Sequence, residues 1–228
     1  ALFDELQQRG LEPNIITYSA LISACEKGGQ WEKALKLLDE LQHRGLEPTI
    51  VTYSSLISAC VKGGRWETAL ELFAELQRRG LEPTIITYSA LISACEKGGQ
   101  WERAMELFQE LQERGLEPNI ITYNALISAC EKGGQWEKAL ELFEELQERG
   151  LEPTIITYGA LISACEKGGQ WEKALEIFDE LQQRGLEPNI ITYSALISAC
   201  GNGGQWEQAL ELFDEFQRRG LEPNIITY

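Results

Sequence analysis

The residues of this sequence that could carry out chemistry recur at one spacing and do not form a cluster. Six cysteines lie thirty-five residues apart, at Cys25, Cys60, Cys95, Cys130, Cys165 and Cys200. Metal-binding cysteines usually come in close pairs such as C-x-x-C, and the sequence has no such pair. Equivalent positions of stacked helices lie about 10 Å apart, which exceeds the span of a disulfide. We therefore interpret the cysteines as small buried hydrophobic residues and expect no metal and no other cofactor.

Catalytic side chains are equally hard to assemble from this sequence. The single histidine, His43, falls on the outer face of a predicted helix, where we interpret it as an incidental surface residue. Serine, cysteine and tyrosine recur with the same period as the rest of the sequence, as a structural role requires. No nucleophile–base pair follows from this pattern, and we expect no enzymatic activity.

Two positions of the period vary within a narrow chemical set, which makes them candidates for binding. The fifth residue of each repeat is short and polar, or glycine: Ser19, Ser54, Ser89, Asn124, Gly159 and Ser194. The last residue is Thr or Asn: Thr49, Thr84, Asn119, Thr154, Asn189 and Asn224. Asn and Thr before a helix are also ordinary N-caps. An exposed helical site normally carries a better helix former than Ser, Asn or Gly, so the fifth position indicates that something approaches the helix closely.

The period also predicts the elements that position these residues. Six full repeats follow a partial repeat at 1–14 and precede the start of another at 225–228; the full repeats are 15–49, 50–84, 85–119, 120–154, 155–189 and 190–224. Self-similarity at this spacing is typical of a solenoid in which each unit buries its apolar face against its neighbours. We predict one array with an all-α fold, a right-handed superhelical solenoid of 35-residue helix-turn-helix repeats.

Each repeat is predicted to be a hairpin of two helices. In the first full repeat, one helix runs over 15–27 and a second runs from about residue 30 or 31 to residue 44. Gly28 and Gly29 are expected to end the first helix in the left-handed conformation. Gly45 and Pro48 are expected to end the second.

Helical geometry divides the first helix into a core face and a free face. Tyr18, Leu21, Ile22 and Cys25 fall on the core face. The free face carries an aliphatic residue in every repeat: Ile16, Val51, Ile86, Ile121, Ile156 and Ile191. Two interpretations stay open. The aliphatic residue packs against a neighbouring helix or staples the helix start, or it lines a groove that sandwiches flat ligands such as nucleobases.

The net charge of −16 opposes binding to nucleic acid, because such proteins usually present a basic surface. Most of the acidic residues fall on the outward face of the second helix and in the turn that follows it. The free face of the first helix instead carries a lysine in five repeats: Lys27, Lys62, Lys97, Lys132 and Lys167. That face is close to neutral, so the distribution of charge weakens the objection.

The repeat resembles the pentatricopeptide repeat over the whole chain. The resemblance rests on the opening [IV]-T-Y-[SNG]-x-L-I, the turn K-G-G, the run A-L-x-[LFI]-[LF] in the second helix and the closing G-L-E-P. The final repeat departs from the pattern, with Asn202 in place of the lysine. Pentatricopeptide repeats bind single-stranded RNA, one base per repeat. The resemblance also implies the usual compartment of the family, the mitochondrion or chloroplast, although we recognise no targeting segment in this sequence.

The resemblance implies roles for the candidate positions. The fifth and last residues of each repeat would read the base edge, the aliphatic residues would sandwich the base, and the lysines would contact phosphates. Ser paired with Asn, as in Ser194 with Asn224, would favour adenine, and Ser paired with Thr would lean the same way. Asn124 with Thr154 would favour a pyrimidine, whereas the pair of Gly159 and Asn189 has no firm preference.

Two other functions remain open at the level of sequence. Helical-hairpin arrays commonly bind proteins or peptides, but the predicted groove lacks the large aromatic residues and arginines expected of protein hot spots. The near identity of the repeats also fits a designed scaffold without a ligand. No apolar run approaches the roughly 20 residues that span a bilayer, so we expect no membrane partner.

The two ends of the array are expected to associate head to tail. Because solenoids need polar capping units, and none is recognisable here, a neighbouring repeat would normally cover the terminal apolar residues. These are Leu2, Phe3 and Leu6 at one end and Leu212, Phe213 and Phe216 at the other.

Overall fold

The computed structural model describes residues 13–221, and these residues form α-helices joined by short turns, with no strand among them. The helices are α1 (Ile15–Lys27), α2 (Trp31–His43), α3 (Ile50–Lys62), α4 (Trp66–Arg78), α5 (Ile85–Lys97), α6 (Trp101–Glu113), α7 (Ile120–Lys132), α8 (Trp136–Glu148), α9 (Ile155–Lys167), α10 (Trp171–Gln183), α11 (Ile190–Asn202) and α12 (Trp206–Arg218). Successive odd-numbered helices begin thirty-five residues apart. The predicted all-α class and hairpin repeat are therefore confirmed.

The chain divides into two compact units. The first is Ala1–Gly98 with Glu106–Glu117, and the second is Gly99–Met105 with Pro118–Tyr228. In the first unit, α1 packs on α3 and α3 packs on α5. In the second unit, α7 packs on α9 and α9 packs on α11. The second helix of a repeat contacts the first helix of its own repeat and that of the next, as α10 does with α9 and α11. Within each unit, a hairpin thus extends its apolar contacts onto the hairpin that follows it.

The turns follow the predicted signals with one correction. Gly29 and Gly45 adopt φ values of 66° and 70°, the left-handed conformation expected of a residue after a helix. Gly28, which we also predicted to be left-handed, has φ −86°. The backbone at this position therefore does not need glycine. In later repeats the reason for glycine at the equivalent position is steric.

In these later repeats, a tryptophan from the preceding repeat lies over the glycine that is equivalent to Gly28. A Cβ atom added to Gly133 would come 2.3 Å from Cδ1 of Trp101, and one added to Gly168 would come 2.4 Å from Cδ1 of Trp136. Gly98 meets Trp66 in the same way in the first unit, with the added Cβ 2.7 Å from the indole. The indole therefore fills the space in which any other residue would place its side chain.

Glu40, one of the acidic residues that we predicted on the outward face of the second helix, instead contacts the first helix. Glu40 is half-buried, and its carboxylate accepts a hydrogen bond of 2.8 Å from the hydroxyl of Tyr18. The same bond recurs in later repeats: Tyr88 with Glu110, Tyr158 with Glu180 and Tyr193 with Glu215. Burial, followed by this hydrogen bond, raises the pKa of Tyr18 to about 12. The phenol therefore stays protonated and serves as a donor.

The same carboxylate links successive hairpins. Glu215 also accepts hydrogen bonds from Arg219 Nη2 at 2.8 Å and from Gln182 Nε2 of the preceding repeat at 3.3 Å. Arg219 reaches back to Glu187, in the turn of that preceding repeat, at 3.5 Å. Burial alone would raise the pKa of Glu215, but the hydrogen bonds from Tyr193 and Arg219 hold it below its ordinary value. Part of the acidic surface is therefore structural.

The cysteines lie within the helical packing as predicted. All six are free, and every one except the half-buried Cys25 is buried. Burial raises the pKa of Cys165 to about 11, so its thiol stays protonated and inert near neutral pH. No helix among the described residues is long and apolar enough to cross a membrane.

We expect Gly133→Ala to destabilise the protein by about 1–3 kcal/mol, because the new methyl group would overlap the indole of Trp101. Gly28→Ala is the matched control. It occupies the same place in the first full repeat, where the nearest atom to an added Cβ, the carbonyl oxygen of Ala24, lies 3.4 Å away. Denaturant unfolding of both variants measures the difference. Equal stabilities would show that the tryptophan does not impose the glycine.

Candidate nucleic-acid interface

The aliphatic residue at the second position of each repeat is exposed to solvent. The exposed fraction of the residue is 58% for Val51 and between 60% and 74% for Ile16, Ile86, Ile121, Ile156 and Ile191. A residue that packed against a neighbouring helix would be largely covered. The structure therefore leaves a regular series of apolar side chains free to contact a ligand.

The fifth position is more buried than the sequence suggested. We placed it on an exposed face, but Ser89 and Ser194 are only 8% and 7% exposed. Ser19, Ser54 and Asn124 are half-buried. The reason is that this part of the helix faces the first helix of the next repeat. In the repeat with Gly159, a Cβ atom would lie 3.8 Å from Cγ2 of Thr192, an ordinary contact, so a small side chain fits.

The last residue of each repeat caps the helix that follows. Asn189 Oδ1 accepts hydrogen bonds from the backbone N–H groups of Ile191 and Thr192 at 2.9 and 3.1 Å. Asn119 makes the same two bonds at the start of α7. Thr49 Oγ1 accepts from the backbone N–H of Thr52 at 3.4 Å. The capping interpretation is confirmed for these residues, and in the asparagines it leaves the amide nitrogen as the group available to a ligand.

A third residue, which the sequence did not single out, lies between the fifth and the last. It is the threonine at the third position of the next repeat, which is fully buried in Thr52, Thr87, Thr122, Thr157 and Thr192. Thr52 Oγ1 lies 3.0 Å from Ser19 Oγ and 3.1 Å from Thr49 Oγ1. An invariant threonine in the first turn of a helix looks like a helix-capping residue, so its type gave no separate signal.

These positions meet in a cleft between successive first helices. In the first unit, a cleft of about 350 Å³ has Val51 and Ile86 on its walls and Ser54 and Thr84 along its lining. In the second unit, the equivalent cleft of about 290 Å³ has Ile156 and Ile191 on its walls, with Gly159 and Asn189. Both volumes are near the lower end for small-ligand sites, about 300–1,000 Å³. The structure thus brings together the fifth and last residues of one repeat and the aliphatic residues of two.

A carboxylate lies at the edge of each cleft and pairs with a lysine of the following repeat. Glu26 lines the first cleft and binds Lys62, and Glu131 lines the second and binds Lys167. The side chain of Glu131 is 16% exposed, whereas that of Lys167 is 43% exposed. The ammonium group therefore stays accessible while its charge is neutralised. Sequence analysis placed these residues on one face but did not predict that they pair across repeats.

The lysines do not all have a carboxylate partner. The repeat before that of Lys97 has Val61 at the position of Glu26. Lys97 Nζ instead donates to the Val61 carbonyl oxygen at 3.2 Å. In the final repeat, which has Asn202 in place of the lysine, Glu166 accepts from Ser198 Oγ at 2.9 Å. Across the described residues, His, Cys, Asp and Glu form no group of three or more that could hold a metal ion.

Comparison with known proteins matches this chain to one family. The family model described as "Pentatricopeptide repeat domain" matches residues 1–63, 71–133, 106–168, 141–203 and 176–228, and a second, "PPR repeat", matches residues 51–81. No curated protein sequence matches the chain. Among solved structures, the pentatricopeptide repeat protein PPR10 from maize shares 31% identity and a TM-score of 0.65. That match covers 99% of this chain and 32% of PPR10, so the chain spans about a third of that relative.

Two further structures share the fold. PPR10 in complex with an 18-nt psaJ RNA element is 24% identical, with a TM-score of 0.65 over 99% of this chain and 38% of the other. The pentatricopeptide repeat domain of Arabidopsis thaliana protein-only RNase P 1, in complex with tRNA, is 18% identical, with a TM-score of 0.66 over 75% of this chain and 90% of the other. The family models cover well over half of the sequence, and the hairpin geometry agrees with them. This chain belongs to the pentatricopeptide repeat family.

Proposed function

We propose that this chain is a sequence-selective single-stranded RNA-binding module that reads one base per repeat. The recurring cleft carries the proposal, because exposed aliphatic walls and the fifth and last positions of a repeat converge in the same place in both units. A base edge can be read by short polar groups when its faces are held between apolar side chains. PPR10, a member of the same family, was solved with an RNA element bound, which supports the same class of ligand here.

In this proposal each cleft holds one base between the aliphatic residues of two successive repeats. Val51 and Ile86 would contact its two faces, and Ser54 and Thr84 would bond its edge. Equivalent roles fall to the fifth and last residues of the other repeats. The two-sided arrangement explains why the aliphatic residue occurs in every repeat although it is exposed, since each one serves two neighbouring clefts.

The lysines would bind phosphates by exchanging partners. Lys167 would leave Glu131 or share its hydrogens between Glu131 and a phosphodiester oxygen, because an ammonium group has three N–H donors. Bound phosphate would also release counterions. The acidic net charge is then compatible with RNA binding, because much of it lies at the second helices and is held there by hydrogen bonds such as that of Tyr193 with Glu215.

The module is proposed to act by binding and not by catalysis. Its recurrent serines and threonines donate to and accept from one another, as Ser54 and Thr87 do at 3.0 Å. The buried cysteines such as Cys165 are held as thiols. We propose that both sets have structural roles in the helical packing.

Gly159→Ser tests the proposed reading of bases. It would convert the pair of Gly159 and Asn189 into the serine–asparagine pair that favours adenine, and we expect a preference for adenine of about fivefold at that repeat, the value of one added hydrogen bond. Gly159→Ala is the control, since it adds the same Cβ atom without a hydroxyl. Selection from a randomised RNA pool, followed by sequencing, measures the preference at every nucleotide. The reading role is wrong if both variants bind the four bases alike at that nucleotide.

Glu131→Gln tests the proposed phosphate contact. It would remove the charge that neutralises Lys167, and we expect about two- to fivefold tighter binding to every RNA sequence, the range of a weak surface ion pair. Lys167→Ala should weaken binding to all sequences and reduce the salt dependence. Glu137→Gln removes the same charge from the outer face of α8 and is the control. Fluorescence anisotropy over a range of salt gives both quantities, and a base-specific effect of Lys167→Ala would contradict the assignment.

Head-to-tail association of this chain is also proposed, with a corrected surface at its C-terminal side. Leu212, Phe213 and Phe216 were expected to be exposed, but Leu212 and Phe216 are buried and Phe213 is half-buried. The ring of Phe216 lies 5.7 Å from that of Tyr193, in the first helix of the same repeat. The exposed apolar residues are instead Trp206 and Leu210, at 64% and 57%. Leu2, Phe3 and Leu6 at the opposite end lie outside the described residues.

Sedimentation velocity measures this association. We expect the sedimentation coefficient to rise with protein concentration and with salt, since salt screens the repulsion between acidic chains. Trp206→Gln should suppress the rise, because it removes the largest exposed apolar side chain of α12. A strict monomer at high protein concentration and high salt would contradict association.

A further inference from the structure

We propose that the buried threonine at the third position of each repeat is a positioning and specificity-determining residue for the base-reading pair of the repeat before it. This inference rests on the proposed function and adds a third residue to its reading site. The threonine hydroxyl connects the fifth and last residues and decides which of them offers a hydrogen to a base. It contacts the reading residues and needs no contact with the base itself.

A backbone N–H group occupies one acceptor site of each of these threonine hydroxyls. Thr157 Oγ1 accepts the N–H of Thr154 at 2.9 Å, and Thr52 Oγ1 accepts the N–H of Thr49 at 3.1 Å. A hydroxyl has one hydrogen and two lone pairs. Each threonine can therefore accept only one further bond and donate one. The two side chains that it contacts must take opposite roles.

In the repeat with Asn124, the roles are fixed. The Thr157 hydroxyl donates to Asn124 Oδ1 at 2.6 Å, because a carbonyl oxygen can only accept. The Thr154 hydroxyl, 3.2 Å from Thr157 Oγ1, must then be the donor in that contact. Asn124 Nδ2 donates one hydrogen to Thr154 Oγ1 at 3.4 Å and keeps its second. The pair thus offers a base one amide donor, which suits the ring nitrogen or carbonyl acceptor of a pyrimidine.

In the repeats that pair serine with threonine, the roles can exchange. Thr52 can donate to Ser19 or to Thr49, and the other hydroxyl must then donate to Thr52. Thr87 stands in the same relation to Ser54 and Thr84, at 3.0 and 3.3 Å. At any moment one member of the pair presents a free hydrogen and the other presents only lone pairs. Such a pair adapts to more than one base edge and is expected to discriminate less.

In the repeat with Asn189, the threonine is engaged elsewhere. Thr192 donates to the backbone carbonyl oxygen of Asn189 at 2.8 Å and accepts the Asn189 N–H at 2.9 Å. Gly159 offers no side chain for it to orient. Thr192 therefore has the same burial and the same capping role as Thr157 but no fifth-position partner. The chain itself supplies a matched control.

Thr157→Val, in the full chain, tests the inference. Valine keeps the shape of threonine and removes the hydroxyl, so Asn124 loses the donor that orients it. We expect base discrimination at the nucleotide bound by residues 120–154 to fall about fivefold, the value of one hydrogen bond, while preferences at other nucleotides and the salt dependence stay unchanged. Thr157→Ser, which keeps the hydroxyl, should retain discrimination. Thr192→Val should lower the melting temperature to a similar extent without the same loss of discrimination.

Each outcome of a randomised-pool selection decides between the proposals. Discrimination by Thr157→Val equal to that of the unmodified protein would overturn the positioning role and leave the proposed function intact. Absence of any base preference in the unmodified protein would overturn both. If Thr157→Val loses its helical circular dichroism, Thr52→Val provides the same test in the first unit. There we expect the preference at the repeat with Ser19 and Thr49 to change, and an unchanged preference would again overturn the inference.

Discussion

A hairpin of two short helices is too small to bury its apolar residues alone, so its stability comes from the surface that it shares with the next hairpin. In this chain the shared surface is built around a tryptophan that lies over a glycine of the following turn, as Trp101 does over Gly133. Because the indole occupies the place of a side chain, the two turns approach closely and in one register. The first helices then lie side by side, and the clefts between them follow from that spacing.

Polar contacts hold the same register on the other side of the hairpins. Glu215 accepts hydrogen bonds from Tyr193 and Arg219 of its own repeat and from Gln182 of the preceding repeat. A half-buried carboxylate would be costly without such donors. Net charge is therefore a poor guide to the partners of this chain, since several of its acids are occupied in joining repeats. The surface near the clefts is governed by local pairs such as Glu131 with Lys167.

Much of the fold could be predicted because its signals are local. The bounds of the first helix, its Asn and Thr caps and the left-handed Gly29 and Gly45 depend on neighbours in sequence. What the sequence did not reveal depends on contacts between repeats. The steric role of Gly133 and the burial of the fifth position arise only when one hairpin lies against another. The turn of Glu40 toward Tyr18 depends on how the two helices of one hairpin pack. Strict repetition also hid Thr52, because a residue that never varies looks structural whatever else it does.

The cleft does not coincide with the sequence repeat. The cleft with Ser54 and Thr84 ends on Ile86, and the hydroxyl network of Ser54 passes through Thr87, so both residues belong to the following block. A block of thirty-five residues moved by duplication or recombination would therefore complete the cleft of whichever repeat came before it. Near-constant second and third positions make every junction compatible with every block. The uniformity of these residues is thus a condition for exchanging blocks freely, while the fifth and last positions, which vary, move together within one block.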